Sequence, residues 1–454
     1  MDGLALTILF SIIACLLVVV VRPGAALGIV VASMFLWPEW LRMPIGIAQM
    51  SVPRMAALVL LLRTLMMPGA NPARLRGADL FIVCFYLWMV GANLLAGTPA
   101  QLLKTIVGSG FDTVMMYLVG RRVFCDPREV PGMVKGLVVT AMVMAPLGMV
   151  ENVTRWSPYM KYLYSLGKVH IDGGGSEIRM GMRRAFTSTE QPIFFGMGML
   201  LVTSLIFSCR RVFETRWGFL LALGTSILAV LTSLSSGPWM GLAVFTALNA
   251  LYWRPQLIKP AIAMVVLMMV AMEALSNRHF YHLIDYLALD RSNAGSYYRT
   301  RLMEVAVKYL PEYWLLGYGG RPAEAWGPDI DGRAKVDMVN NYVIVATTAG
   351  VFALFLYIAA KIAVLITLIR CYRSGHEPVR PVAFGLAAGL VALSFSELSV
   401  GLYGPPLLLS FLTMGCSVSC AEWVELIDRR RNAAARVRAS FAPEVVRPAG
   451  AGVE

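Results

Sequence analysis

The arginines that lie outside the apolar stretches are the residues of this chain best suited to chemistry. Arg183 and Arg184 precede Ala185-Phe186-Thr187-Ser188-Thr189-Glu190-Gln191-Pro192. Ser188 with Gln191, or Thr187 with Glu190, has the spacing of a capping box, and Pro192 suits the first turn of a helix. The unpaired N–H groups of such a helix start attract an anion. The two arginines upstream would add guanidinium groups, which grip phosphate bidentately. The same pair could equally be interfacial arginines whose stems lie along lipid. A second pointer is Tyr297-Tyr298-Arg299-Thr300-Arg301-Leu302-Met303-Glu304-Val305-Ala306-Val307-Lys308-Tyr309-Leu310, which has a helical period. Met303, Ala306 and Leu310 share one stripe of this amphipathic helix, and Arg299 heads that stripe. Arg301, Glu304 and Lys308 form a separate charged ridge, which predicts an i,i+3 pair between Arg301 and Glu304. Arginine at the head of an apolar face requires an anionic partner, a protein carboxylate or a lipid phosphate.

Other segments have two readings each. Leu316-Gly317-Tyr318-Gly319-Gly320 either turns the chain or lets backbone approach a ligand. Tyr281, Tyr286, Tyr297, Tyr298, Tyr309, Tyr313, Trp314, Tyr318 and Trp326 suit sugar faces, and they equally suit a membrane interface. Asp329-Ile330-Asp331 matches a metal-holding D-x-D, or a solvated turn before Gly332. Asp112, Glu273 and Glu397, with Lys104 two turns before Asp112, are ionisable groups in or near apolar stretches, the kind of residue a transporter uses. The sequence contains no G-x-x-x-x-G-K-[ST] loop and no H-E-x-x-H.

These residues must be positioned by elements that live in lipid. Of 454 residues 58% are hydrophobic and 15% charged, and a soluble protein of this size would carry about 25% charge. An all-α polytopic membrane bundle of 12–13 helices is expected, each span needing about 20 apolar residues. The spans are 4–21, 25–37, 51–67, 78–97, 102–120, 132–150, 192–209, 217–235, 238–252, 258–275, 341–369, 381–401 and 404–421. The first reads as a retained anchor, because Met1-Asp2-Gly3 lacks a basic n-region. Arginines gather between alternate spans, at Arg74/Arg76, Arg121/Arg122/Arg128, Arg210/Arg211/Arg216, Arg254, Arg370/Arg373/Arg380 and in the tail. Helix counting puts all of them on one side, the cytoplasm by the positive-inside rule. The net charge of +13 therefore concerns orientation in the membrane, with no nucleic-acid partner expected. Two long loops, 151–191 and 276–340, then face outward, the larger holding the amphipathic helix at the interface. Neither contains a cysteine. Residues 1–427 read as a single integral-membrane domain, and 428–454 as a basic, unstructured cytoplasmic tail drawn to anionic membrane lipids.

Several segments taken together resemble the bacterial O-antigen ligase and polysaccharide polymerase family. Arg184 to Gly196 is similar to its R-x-x-G-x-x-x-H-P-x-x-x-G region, and Leu231 to Gly237 to its L-T-x-S-R-G helix. Tyr298 to Glu304 resembles Y-R-x-x-x-W-E, and Leu316 to Gly319 resembles L-G-x-G. Asn340-Asn341-Tyr342 with Gly350 resembles H-N-x-Y…G. The resemblance spans roughly residues 184–356. The family histidine corresponds to Val339, the S-R-G arginine to Ser236, the histidine before proline to Gln191 and the late glycine to Ala353. The resemblance implies glycan transfer from an undecaprenyl-diphosphate carrier to an acceptor glycan or glycolipid, outside the bacterial inner membrane, with no cofactor, nucleotide or metal. A polymerase is preferred over a ligase acting on lipid A-core because the histidine is missing, and a chain-length regulator or export complex is a possible partner. In this reading Arg299 and Arg184 stabilise the diphosphate with Arg183 assisting. Asp337 or Glu190 serves as base. Gln191, Glu304, Gly319, Asn340, Asn341 and Tyr342 line the substrate site. A non-enzymatic transporter of the lipid-linked glycan is the rival class.

Overall fold

A computed structural model of the protein describes residues 3–38, 40–46, 48–67, 74–163, 166, 178–252, 254–257, 294–319, 326–330, 332 and 336–440, with isolated positions between 259 and 267. Most of the expected span 258–275, with Glu273, lies outside the described residues, as do Gly320 and Asp331.

The described residues are mostly helical, as the apolar runs require. In lipid every backbone polar group must be satisfied within the chain, and helices do this segment by segment. In order, α1 is Gly3–Val20, α2 Pro23–Leu36, α3 Val52–Met66 and α4 Gly77–Ala96. Then come α5 Pro99–Lys104, a π-helical stretch Thr105–Met115, and α6 Met116–Val123, which together make one apolar rod. They are followed by α7 Val130–Thr154, the short α8 Pro158–Leu163, α9 Pro192–Ser208, α10 Arg216–Thr232 and α11 Ser236–Leu251. The last group is α12 Ala294–Lys308, α13 Leu310–Tyr313, α14 Asn341–Arg373, α15 Arg380–Ser396 and α16 Pro405–Ser440. Proline opens α2, α3, α7, α9, α13 and α15 within the first two positions, where its missing N–H costs nothing. Two small hairpins, Met43–Ile45 with Ala48–Met50 and Ile178–Arg179 with Met182–Arg183, are the sheet content among the described residues.

Among the described residues, six helices are long and apolar enough to cross a membrane, and four shorter apolar ones accompany them. The protein is a multi-pass membrane protein with an all-α bundle fold. Two helices form its centre. α9 is buried on nearly every face, and 83% of the apolar window of α16 is buried. The outer helices are apolar all round yet buried on one face only, with Leu16, Val20 and Leu87 exposed, which is the pattern lipid permits and water does not. Helices α2 and α7 meet backbone to backbone. A Cβ on Gly136 would come within 2.3 Å of the Cα of Gly28, the close approach that small residues allow in membrane bundles.

The basic clusters gather at one end of the bundle. Buried Arg121 contacts Asp79 at 3.3 Å and Glu422 at 2.9 Å, Arg76 contacts Glu425 at 2.9 Å, and Arg211 contacts Glu377 at 2.6 Å. The described residues of 178–191, 294–319 and 336–341 gather at the opposite end, with Arg42, the Met43–Ile45/Ala48–Met50 hairpin and 397–404.

Two expectations are corrected here. The tail does not lose structure at 428, because α16 continues as helix to Ser440; residues 441–454 lie outside the described part. The span 341–369 is not one straight helix either. Ala349 (φ −143°) and Gly350 (φ +86°) interrupt α14. Asn341 and Tyr357 are 16 positions apart, about 24 Å along a straight helix, yet the Asn341 amide donates to the Tyr357 hydroxyl at 3.1 Å. The first eight residues therefore fold back along 351–361, and only 351–373 crosses the bundle. Three backbone groups at the break find partners outside the helix: Thr347 C=O accepts from Tyr318 N–H at 2.6 Å, Val351 N–H donates to Trp314 C=O at 2.7 Å, and Ala349 C=O accepts from the Trp88 indole at 2.9 Å.

Candidate functional site

The loop end of the bundle is built around three knots of polar side chains. The first is the segment expected to start a helix with a capping box. That box does not form. Gln191 caps α9 through its backbone alone. The Ser188 hydroxyl donates instead to the Phe35 carbonyl, and Thr189 donates to Phe186 C=O at 2.7 Å. An anion does meet free N–H groups here, but the chain supplies it. The buried Glu151 carboxylate accepts from the N–H groups of Phe186 and Thr187, both at 3.0 Å, and from Ser157 at 2.5 Å. Thr187 sits at φ +50°, a conformation a threonine keeps only when its surroundings hold it. Arg184 is buried and its guanidinium donates to Ser235 Oγ at 2.7 Å, tying this segment to the α10–α11 turn. Arg183 donates to Arg155 C=O at 2.8 Å and lies over the Phe186 ring. Glu190 pairs with Arg42 at 3.1 Å.

Glu151 is a residue the sequence reading missed, since one acid at the end of an apolar run looks like a boundary marker. Replacing it with alanine leaves two buried N–H groups and a hydroxyl without their acceptor. The expected cost is about 2–3 kcal/mol, read as a lower unfolding midpoint together with faster proteolysis within 184–190. A variant as stable and as protease-resistant as the parent would rule this clamp out.

The second knot joins α12 to the start of α14. The expected Arg301–Glu304 pair is present at 2.8 Å. The buried stripe is Tyr298, Leu302, Val305 and Ala306, packed on Tyr313, Trp326, Ile330 and Val343. It is rotated from the expected Met303–Leu310 stripe, because α12 rests on the loop's own aromatic cluster. The Tyr298 hydroxyl donates to Asp337 C=O at 2.7 Å and accepts from Asp337 N–H at 2.8 Å. The Asn340 amide donates to Met303 Sδ at 3.4 Å and to Leu398 C=O at 2.9 Å, while its Oδ1 caps α14 at Tyr342 N–H (2.9 Å). Half-buried Arg299 and exposed Asp337 thus share this junction, and Asp337 lies within electrostatic reach of the Tyr403 phenol. Asp329 accepts from Lys308 at 2.6 Å and Tyr309 at 2.9 Å. These bonds hold its carboxyl below the usual carboxylate range. No group of metal-holding residues is present among the described residues. Gly319 (φ +59°) makes a turn and a close approach at once, but to the backbone of Gly97.

The third knot lies beneath the second. Lys361 meets Glu397 Oε2 at 2.5 Å, both buried. The same oxygen accepts from Tyr357 at 3.0 Å and Asn341 at 3.3 Å, while Asn341 Oδ1 accepts from Leu402 N–H at 3.1 Å. Tyr342 donates to Ser394 C=O at 2.8 Å. Glu397 stood out in the sequence. Its partner Lys361 did not, although a lysine in the middle of an apolar run is signal enough. Asp112 pairs not with Lys104 but with Arg54, at 2.6 Å.

The arrangement therefore places half-buried Arg299 and exposed Asp337 on an ordered junction. Below them sits an internally neutralised polar floor, and to one side a cleft beside Arg42 and Arg54. Compared with known proteins, the chain matches no family model and no curated protein.

Proposed function

We propose that the protein is a membrane glycosyltransferase that lengthens a lipid-linked surface polysaccharide. It would work at the loop end, taking glycan from an undecaprenyl diphosphate and joining it to an acceptor sugar. One observation carries this reading: residues distant in sequence, Arg299 on α12 and Asp337 and Asn340 before α14, are drawn into one junction by the Tyr298–Asp337 and Met303–Asn340 contacts. A diphosphate leaving group needs a preorganised cation as its charge develops, and Arg299 fills that role. Asp337 is the base that accepts the acceptor hydroxyl's proton as its oxygen bonds to the anomeric carbon. Arg184, bonded to Ser235, positions the 184–190 segment and does not itself touch phosphate. The absence of a histidine at Val339 favours polymerase over ligase. The basic end would be cytoplasmic and the loop end periplasmic, following the positive-inside rule.

Replacing Arg299 with alanine is expected to lower polymer formation roughly 10²–10³-fold while the protein still reaches the membrane. Reconstitution with lipid-linked repeat units reads this directly. Longer lipid-linked chains support polymerase, and glycan moved to a second lipid supports ligase. Wild-type polymer lengths in the variant sink the assignment of Arg299. The broken helix α14 favours a second reading, a transporter, since interrupted helices often form transport sites. Unchanged glycan that crosses the bilayer of the proteoliposomes would establish it.

A further inference from the structure

One corner of the basic end holds more guanidinium charge than its carboxylates take up. Arg210 follows α9 and Arg380 opens α15, while Tyr252 caps α11 and Tyr372 lies in the last turn of α14. Tyr252, Tyr372 and Phe384 form one cluster of rings, with centroids 5.1, 5.7 and 6.4 Å apart. The Arg210 guanidinium lies 4.9 Å from the centroid of Phe207 and 5.5 Å from that of Tyr252, and Arg380 lies 5.1 Å from that of Tyr372. Two cations from different helices thus flank the same rings, at cation–π distance.

The charge balance points to an occupant. Arg210 is half-buried, its one hydrogen bond is a 3.4 Å contact with the Phe207 carbonyl, and no described carboxylate pairs with it. Burial pulls its pKa below the ordinary value, as it does for a cation with no acid to offset its desolvation. The Arg380 Nε is buried without a hydrogen-bond partner among the described residues, and its Nη1 is 4.0 Å from exposed Glu377. Arg211 already holds that carboxylate at 2.6 Å. Three arginines facing one carboxylate leave two positive charges over. The nearby Asp428 meets His376 at 3.0 Å. Arg430 and Arg431 are unlike Arg210, because they are exposed and water solvates them. A half-buried guanidinium attracts an anion in place of the lost water. Phosphate suits it best, since its oxygens can accept from two arginines at once and guanidinium grips them bidentately.

We infer that Arg210 and Arg380, with Tyr252 and Tyr372 beside them, bind a phosphate group at the basic end of the bundle, carried by a phospholipid head group or free in solution. The site is remote from the loop end, so the inference stands apart from the transferase reading. The full chain, purified in detergent, is titrated with phosphatidylglycerol and followed by native mass spectrometry. Diacylglycerol supplies the same acyl chains without phosphate, and inorganic phosphate is titrated separately by calorimetry and as a competitor. Lipid binding that phosphate does not displace identifies a head-group site, and phosphate that binds and displaces the lipid identifies a free-phosphate site. Arg210→Gln and Arg380→Gln should each weaken binding about tenfold, the loss of one hydrogen bond to a charged group. Arg431→Gln removes the same charge from an exposed position and should change binding less than about twofold. Should Arg210→Gln not stay monodisperse, Arg380→Gln decides alone. The inference is overturned if neither phosphatidylglycerol nor phosphate binds the parent, or if diacylglycerol binds as well as phosphatidylglycerol. It is equally overturned if the Arg210 and Arg380 variants bind as the parent does, or if Arg431→Gln loses as much as they do.

Discussion

Lys361→Met is expected to destabilise the protein by about 3–5 kcal/mol, the cost of leaving a buried carboxylate without its counter-ion. Glu397 is fully buried, and its Oε1 already lacks a partner among the described residues. Without Lys361, its Oε2 would retain only the neutral donors Tyr357 and Asn341. With an unfolding entropy of about 2 cal/mol/K per residue over the whole chain, the midpoint should fall by roughly 3–5 °C. The pair also joins α14 to α15, so the loss should extend to the fold-back of 341–348, and through Asn340 to α12. The double variant Lys361→Met with Glu397→Gln removes both charges at similar volume. It should recover most of the loss, because replacing a buried pair as a whole is often nearly neutral. Thermal unfolding of the purified protein measures all three species. A single variant that melts with the parent, or a double variant worse than the single, would show that the pair is not what holds this corner.

Gly350→Ala carries the second large effect. At φ +86° and ψ 170° the residue occupies a region open essentially to glycine alone. A Cβ there would stand 2.0 Å from the Leu315 carbonyl oxygen. Strain of about 1–3 kcal/mol adds to about 1–3 kcal/mol for the overlap. Relief requires 314–318 to leave the break, which would free the Thr347 and Val351 backbone groups. Gly375 supplies the control. Its φ is +77° but nothing lies within 4 Å of an added Cβ, so Gly375→Ala should show only the backbone term, about 1–2 kcal/mol. Equal unfolding midpoints for the two variants would refute the argument that the 314–318 segment wedges the break open. If the transferase reading holds, Gly350→Ala should also lose polymer formation, since the break sets where Asn340 and Asp337 lie.

Much of this molecule can be read from one dimension. Lipid imposes a simple rule, that about 20 apolar residues make a helix because no backbone group can be left to water. The helices at the expected positions from 4–21 through 238–252, of which those near 4–21, 78–97, 102–120 and 132–150 are long and apolar enough to span, the grouping of arginines at alternate connections and the Arg301–Glu304 pair all follow from local composition and helical period. The sequence failed where a contact joins residues far apart. The Ser188–Gln191 box was locally plausible, yet Glu151, 35 positions before Phe186, holds those N–H groups instead. The break in α14 left no composition signal beyond one glycine in an apolar run, because what satisfies it comes from Trp88 and 314–318. Lys361 and Glu397, or Arg54 and Asp112, are each a lone intramembrane charge on paper. Which acid serves which base depends on how helices pack, and a burial penalty that local pattern does not contain enforces the pairing. Residue types and periods establish the membrane bundle and its candidate arginines. Only the tertiary structure decides that Arg184 and Glu190 are already engaged and that Arg299 and Asp337 share a junction. Those outcomes come from the need to pair every buried charge and donor across the whole chain at once.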